Sequence, residues 1–182
     1  ARSNWGFAGC DVSQAFLKTQ LGPEDLEPIH LPDEARDPPE EDPVKIALVG
    51  IYGFRMSPRR WRDKAHKKLL EMGWQSIERE SGIYFRRNAK GELCAIVGMY
   101  VDDFLITAAG GDVIAEAFEQ GLNEEVGASS MSISVTRLKD GSEERTFDFV
   151  GVDIALTIRA KKIIKAKIHA SKRVEGILRK YD

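Results

Sequence analysis

The sequence predicts an α+β fold with an antiparallel sheet. Its 182 residues, of which 42% are hydrophobic and 31% charged, suffice for one globular domain with a hydrophobic core. Short apolar strands are joined by turns that contain Gly, Asn and Asp, which is typical of local hairpins. Two segments with apolar residues at helical spacing separate these strands, and a third follows the last strand. Helices mixed with hairpins indicate α+β, because a hairpin joins strands that run in opposite directions.

The first predicted elements are a buried strand and an acidic loop. Residues 5–12 are largely apolar and predict a short strand that ends in the carboxylate of Asp11. Residues 22–43 are rich in proline and acidic side chains and predict a loop, with an extended piece at residues 29–31. Residues 44–54 are apolar and β-branched and predict a second strand that breaks at glycines.

A helix is predicted next. Ser57 suits the N-cap and Pro58 the first helical position. The apolar residues that follow recur at helical spacing: Trp61, Ala65, Leu69 and Met72. Gly73 is expected to end this helix.

Two hairpins follow the helix. Residues 83–100 predict two strands joined by a turn at residues 88–91. The apolar run is then interrupted by Asp102 and Asp103 and resumes at residues 104–106, which predicts a second hairpin with both carboxylates at its turn.

The last third of the sequence predicts further helices and strands. An amphipathic helix is expected at residues 112–126 and a basic one at residues 171–181. Strands are expected in three segments between them: residues 133–138, 146–156 and 163–168. No internal repeat is present.

Charge is unevenly distributed along the chain. The net charge is −2, but residues 24–42 carry nine acidic side chains against one arginine. Residues 55–68 are strongly basic, and residues 159–180 carry nine Lys or Arg against one glutamate. A fold that segregates these signs would present a basic face to a polyanion.

Other features exclude several classes of protein. No apolar run approaches the roughly 18–20 residues that span a bilayer, so no membrane partner is expected. Cys10 and Cys94 are too few for a disulfide framework and lack zinc-ligand spacing, so we expect buried thiols in a reducing compartment. The start at Ala1 has neither an initiator Met nor a signal-peptide pattern, and we expect a chain cut from a longer one.

Three carboxylates are the candidate chemical centre. Asp102 and Asp103 interrupt an apolar run, and burying charge costs several kcal/mol unless the charge is paired or coordinates a metal. If the strand that ends at Asp11 lies beside their hairpin, the three oxygen donors suit Mg²⁺. Two such ions can clamp an in-line phosphoryl transfer. The alternatives are a solvated turn at Asp102 and Asp103, and an N-cap role of Asp11 for residues 13–17.

Five segments resemble the reverse transcriptase of copia-type long-terminal-repeat retrotransposons. They match the family motifs D-V-K-T-A-F-L, L-Y-G-L-K-Q-S-P-R-x-W, Y-V-D-D, F-L-G-I-E-I and S-K-Y-I-x-x-I-L. In this chain they are Asp11-Val12-Ser13-Gln14-Ala15-Phe16-Leu17, Ile51-Tyr52-Gly53-Phe54-Arg55-Met56-Ser57-Pro58-Arg59-Arg60-Trp61, Tyr100-Val101-Asp102-Asp103, Phe149-Val150-Gly151-Val152-Asp153-Ile154 and Ser171-Lys172-Arg173-Val174-Glu175-Gly176-Ile177-Leu178.

The resemblance implies a polymerase palm, a small antiparallel sheet backed by helices, as a single domain over residues 1–182 that includes part of the fingers. It implies RNA-directed DNA polymerase activity, with Mg²⁺, or alternatively Mn²⁺, as cofactor. Asp11 and Asp102 would be the principal metal ligands, Asp103 the third carboxylate, and the backbone carbonyl of Val12 a further ligand.

The resemblance also implies substrate contacts. Four residues would bind the incoming deoxynucleoside triphosphate: Ala15, Phe16, Tyr52 and Gly53. Phe16 would exclude a ribose 2′-hydroxyl, with an ordinary core aromatic as the alternative. Five residues would contact the RNA or DNA template with its primer: Arg55, Ser57, Arg59, Arg60 and Tyr100. The alternative for the basic helix face is that its side chains are only solvated. The basic block at residues 159–180 would either follow the primer backbone or keep the surface soluble.

The chain departs from the family pattern in places. Met56 stands where the family usually has Gln, and Ser142-Glu143-Glu144-Arg145-Thr146 stands where the family usually has a Leu-Gly-Glu segment. The alignment of residues 127–146 with the family pattern stays open. The fingers, thumb, ribonuclease H and integrase are expected elsewhere in a polyprotein, within a cytoplasmic virus-like particle or, alternatively, the nucleus. Two other functions stay open: an inactive or domesticated nucleic-acid-binding remnant, and a Mg²⁺-dependent nuclease or nucleotide cyclase.

Overall fold

The computed structural model describes residues 5–32, 43–160 and 162–170. The chain divides into two compact units. The large unit consists of Ala1–Ser13 and Leu69–Asp182, and the small unit of Gln14–Lys68. No helix in the described residues is long and apolar enough to cross a membrane.

A six-stranded antiparallel sheet forms the centre of the large unit. In chain order its strands are β1 (Trp5–Asp11), β4 (Gln75–Ile77), β5 (Glu80–Arg87), β6 (Leu93–Tyr100), β7 (Asp103–Ala109) and β8 (Ser129–Ser130). In the sheet they lie in the order β4-β5-β6-β7-β1-β8. The predicted first strand and both predicted hairpins are confirmed. The hairpins bring consecutive strands together, and β1 pairs with the second hairpin from far away in sequence.

One face of this sheet forms the core with a helix. Ala8 pairs with Ile106 and Cys10 with Phe104, and all four side chains are buried. The helix predicted at residues 112–126 is confirmed as α2 (Asp112–Val126), and it packs against β1 and β7. A Cβ at Gly6 would lie 2.1 Å from the backbone of the loop before α2, so only glycine permits this close approach.

Helix α1 (Ser57–Glu71) confirms the predicted helix but corrects its start. The first intrahelical bond runs from the Arg60 N–H to the Met56 carbonyl, so Ser57 lies inside the helix. Its hydroxyl accepts a hydrogen bond from the Ile51 N–H at 2.9 Å instead of capping the helix. The helix thus begins one residue earlier than predicted, and the Ser57 hydroxyl bonds the preceding loop.

Helix α1 is terminated by Gly73, as predicted. Gly73 has φ 84°, and its N–H donates to the Leu70 carbonyl while the Trp74 N–H donates to the Leu69 carbonyl. These two bonds are a Schellman motif, which satisfies carbonyls that the helix itself leaves unpaired.

The small unit corrects the predicted acidic loop. β2 (Glu27–His30) pairs with β3 (Val44–Ala47) in a two-stranded sheet, and a 3-10 helix at Pro23–Asp25 precedes them. The predicted extended piece is therefore a paired strand, and the strand predicted at residues 44–54 ends at Ala47. Much of the acidic loop, residues 33–42, lies outside the described residues.

A four-stranded antiparallel sheet follows α2, in the order β12-β11-β10-β9. Its strands are β9 (Ser134–Arg137), β10 (Glu143–Phe149), β11 (Val152–Arg159) and β12 (Lys162–His169). The strands predicted at residues 133–138 and 163–168 are confirmed as β9 and β12. The single strand predicted at residues 146–156 is wrong, because a two-residue turn at Val150 and Gly151 divides this segment between β10 and β11, which pair with each other. The basic helix predicted at residues 171–181 lies outside the described residues.

The predicted α+β class is confirmed by these helices and antiparallel sheets. The prediction that residues 1–182 form a single domain stays a prediction.

Candidate active site

Two neighbouring strand ends bring three carboxylates together in the large unit. Asp11 is the last residue of β1 and pairs with Asp103, the first residue of β7. Asp102 precedes Asp103 in the turn of the β6–β7 hairpin. One oxygen from each of these three half-buried residues lies within 4.8 Å of the others. We call this group the carboxylate cluster.

The turn that carries Asp102 is held in an uncommon conformation. Tyr100 pairs with Asp103, so Val101 and Asp102 form a two-residue loop. Val101 has φ 54°, a left-handed conformation that costs a non-glycine residue about 1–3 kcal/mol. The Asp102 carbonyl accepts a hydrogen bond from the Val12 N–H at 3.0 Å, which fixes the turn to the residue after β1.

This arrangement decides between the interpretations of Asp11. The short 3-10 helix at Ala15–Lys18 has Gln14 at its N-cap, so the N-cap role considered for Asp11 is wrong. Asp11 instead ends a strand, where its pairing with Asp103 places it at the cluster.

The surroundings of Asp103 disfavour the charged form of its carboxyl group. Burial raises the pKa of its carboxyl, and the charges of Asp102, Asp11 and Asp148 raise it further. A hydrogen bond from the Val150 N–H, at 3.2 Å, acts in the opposite direction. Like charges held this close favour a cation between them.

The predicted nucleotide-binding residues belong to the small unit. The rings of Phe16 and Tyr52 lie 4.7 Å apart between centroids, at an angle of 52°. Phe16 is buried, whereas Tyr52 is 57% exposed. Ala15 is buried beside Phe16, and Gly53 has φ 95° with open space where a side chain would be. The structure thus brings Phe16 and Tyr52 into contact.

Comparison with known proteins identifies the chain's family. The family described as reverse transcriptase (RNA-dependent DNA polymerase) matches residues 1–141. The chain belongs to this reverse transcriptase family. It is also 30% identical over 100 residues to the putative transposon Ty5-1 protein YCL074W of Saccharomyces cerevisiae. That match covers 54% of this chain and 30% of the relative, so the chain spans less than a third of the relative's length. No solved structure matches the chain.

The reverse transcriptase residues predicted to contact template and primer differ in availability. Arg55 and Arg59 are exposed, and the Arg59 Nε lies 3.9 Å from Asp63. Arg60 is bound by both Asp25 and Glu24, and these carboxylates hold the pKa of its guanidinium above the ordinary value.

Two further predicted contacts differ in the same way. The Ser57 side chain is fully buried and holds the Ile51 N–H, so it shapes the loop rather than facing a ligand. Tyr100, beside Asp103, is 58% exposed.

Sequence reasoning did not anticipate two residues near the cluster. Val150 touches Asp103, and Asp148 accepts a hydrogen bond from the Gly151 N–H at 3.0 Å, which holds the same turn. The motif at residues 149–154 pointed to this segment, because it resembles a family motif. Nothing in the motif indicated that its turn contacts the carboxylate cluster.

Proposed function

We propose that this chain is an RNA-directed DNA polymerase domain that adds deoxynucleotides to a primer 3′-hydroxyl by two-metal phosphoryl transfer. The observation that carries the proposal is the carboxylate cluster, formed at paired strand ends in a chain of the reverse transcriptase family. Such a cluster supplies the hard oxygen donors that Mg²⁺ or Mn²⁺ requires.

The cluster suits a divalent ion chemically. Its three carboxylates are half-buried, and burial, together with the charges of Asp102, Asp11 and Asp148, raises the pKa of Asp103. A cation bound here would balance these negative charges. Asp11 and Asp102 would be direct ligands, with Asp103 and the Val12 carbonyl completing the set. When bound, the ions would stabilise charge on the transferring phosphoryl group and lower the pKa of the primer hydroxyl. The chain's own contribution is to hold these donors in place through the β1–β7 pairing and the Val12–Asp102 bond.

A palm architecture is supported by the position of this cluster. The carboxylates lie at one end of an antiparallel sheet whose opposite face is covered by α2. The half-buried face that carries Asp11 and Asp103 is thereby left for the reactants.

The small unit would supply the deoxynucleotide contacts. Phe16 packs on Tyr52, and this support would keep the Phe16 ring rigid enough to exclude a ribose 2′-hydroxyl. Gly53 leaves room for a base beside Tyr52. Ala15 would pack with Phe16, while Arg55, Arg59 and Tyr100 would contact the template–primer.

The wider setting is proposed from the family. The domain would belong to a retrotransposon polyprotein that also supplies fingers, thumb, ribonuclease H and integrase. It would act on its template in a cytoplasmic virus-like particle, with the nucleus as the alternative site.

A second candidate is an inactive or domesticated nucleic-acid-binding remnant. The observation that favours it is that two residues predicted to contact the template–primer are already engaged within the protein. Arg60 is neutralised by Glu24 and Asp25, and Ser57 is buried.

Primer extension separates the two candidates. We would assay extension of oligo(dT) on poly(rA) with Mg²⁺ or Mn²⁺, using the chain alone and the chain with its flanking polyprotein segments. Asp102→Ala should lower extension by at least about 100-fold, because charge stabilisation at the transition state depends on ligand geometry. Glu116→Ala, which removes an exposed carboxylate from α2, is the matched control and should leave extension unchanged.

Two results would contradict the polymerase proposal. One is folded protein that binds template–primer without extending it in either form, which would favour the remnant. The other is extension that survives Asp102→Ala, which would remove the cluster from the mechanism.

A further inference from the structure

The edge strand β12 is strongly basic. It is the outermost strand of the four-stranded sheet, and all eight of its residues are exposed. Three of them are lysines, Lys162, Lys165 and Lys167, and none is acidic. We call these three residues the lysine track.

A β-bulge places the whole lysine track on one face. Simple alternation would put residues 162 and 165 on opposite faces of the strand. The register between β11 and β12 shifts between Thr157 and Ile158, however, and this shift inserts one extra residue in β12. The β11 partners of the three lysines are therefore alternate residues: Arg159, Thr157 and Ala155. Alternate residues of an unbulged strand share a face, so the three lysines share it too.

The three charges are available for a ligand. In the described part of the chain, none of the three lysines forms an ion pair with an acidic side chain. The neighbouring cations differ, because Arg159 pairs with Asp140 and the His169 Nδ1 lies 3.9 Å from Asp153. The track thus combines concentrated positive charge with full exposure.

The direction of β12 relates the track to the carboxylate cluster. β11 begins at Val152, two residues after Val150, whose N–H bonds Asp103. Because β12 runs antiparallel to β11, its last residues lie at this same end of the sheet. Going away from this end, Lys167, Lys165 and Lys162 lie opposite Ala155, Thr157 and Arg159. The track therefore spans four steps of β11, roughly 13 Å at about 3.3 Å per residue.

We propose that the lysine track binds the phosphate backbone of the template–primer duplex, beyond the part of the duplex that lies at the carboxylate cluster. This inference rests on the proposed polymerase function. It is carried by charge complementarity, because a row of lysines on one face, without ion pairs to the acids that the structure describes, suits a strand of regularly spaced phosphates. Such contacts hold a duplex in register without reading its sequence.

The test measures binding of a labelled RNA-template–DNA-primer duplex by the chain with its flanking polyprotein segments. The track variant is the double variant that combines Lys165→Gln and Lys167→Gln. It is compared with a control double variant that combines Arg79→Gln and Lys90→Gln. The control removes the same charge from two exposed turn residues of the large unit. In the track variant, the affinity for the duplex should fall about tenfold or more near 0.1 M salt. The slope of log affinity against log salt concentration should become shallower by about 1.8, because each lost phosphate contact removes about 0.9. Adding Lys162→Gln should lower the slope by about 0.9 more.

The outcomes separate this inference from the function on which it rests. If the wild type binds and extends the duplex but the track variant matches the control, the track is overturned and the polymerase proposal stands. A track variant that self-associates in light scattering while keeping its affinity would also overturn it, because the lysines would then protect an exposed edge strand. If the wild type neither binds nor extends the duplex, both proposals fall.

Discussion

The Val150 N–H donates a hydrogen bond to the Asp103 carboxylate at 3.2 Å, across 47 residues of sequence. This bond attaches the β10–β11 turn to the carboxylate cluster. The turn is held by Asp148, whose carboxylate accepts from the Gly151 N–H. Both turn residues have left-handed φ values, 59° and 72°, as in the tight hairpin turns that suit strand twist.

Asp148→Ala should therefore lower primer extension without unfolding the protein. The loosened turn would no longer hold the Asp103 carboxylate in one orientation. We expect kcat to fall roughly tenfold, which corresponds to about 1.4 kcal/mol. Asp148→Asn, which keeps an acceptor oxygen, should restore most of the activity. The control Glu144→Ala removes an acid from the same strand, farther from the turn.

Steady-state kinetics and circular dichroism would decide the role of this turn. A positioning role predicts a change in kcat with an unchanged KM for the deoxynucleotide. Equal activity of Asp148→Ala and Glu144→Ala would show that the turn does not position Asp103.

The sequence predicted the parts of this site that local patterns encode. A helical stripe and a terminal glycine predicted α1, and two acids in an apolar run predicted the turn at Asp102 and Asp103. The Val150–Asp103 bond was not predictable, because it depends on how two separate sheets meet. The bulge in β12 and the hydrogen bond between Ser57 and Ile51 were not predictable either, since each depends on a partner strand or loop rather than on neighbouring residues.

The two cysteines should differ in reactivity towards a thiol reagent. Cys10 is fully buried, and burial, with the nearby charges of Glu119, Asp11 and Asp103, raises its pKa to about 12. Thiolate is the reactive form, so Cys10 should not react at pH 8 in the native protein. Cys94 is partly exposed and should react.

Titration with a disulfide reagent would count the reactive thiols. We expect one in the native wild type, none in Cys94→Ser and one in Cys10→Ser, with both reacting in urea. Rapid native labelling of Cys94→Ser would show that the sheet core opens readily.

Asp140 should make folding stability depend on pH in the acid range. Its carboxylate accepts hydrogen bonds from the backbone and side chain of Ser142 and pairs with Arg159, which lower its pKa from 3.8 to about 2. The folded state thus binds this proton less readily than the unfolded state. The stabilisation is fully present above pH 3.8 and is lost as the pH falls towards 2.

Urea unfolding at several pH values would test this linkage. Asp140→Asn should be less stable than the wild type at pH 6, and the difference should shrink as the pH approaches 2. Glu116→Gln is the control, since it removes an exposed carboxylate from α2. A difference between Asp140→Asn and the wild type that stays constant with pH would exclude this carboxylate as the source.

Phe16→Val should relax discrimination against ribonucleotides. Phe16 is buried and packed on Tyr52, and a smaller side chain would leave space where a 2′-hydroxyl would otherwise clash. We expect the ratio of kcat/KM for dTTP over UTP, measured on poly(rA)–oligo(dT), to fall on the order of 10- to 100-fold. Leu21→Ala, which removes another buried apolar side chain of the small unit, controls for lost stability and should leave the ratio unchanged. If Phe16→Val lowers dTTP and UTP incorporation equally, the ratio is preserved and Phe16 acts as a core aromatic, the alternative that the sequence left open.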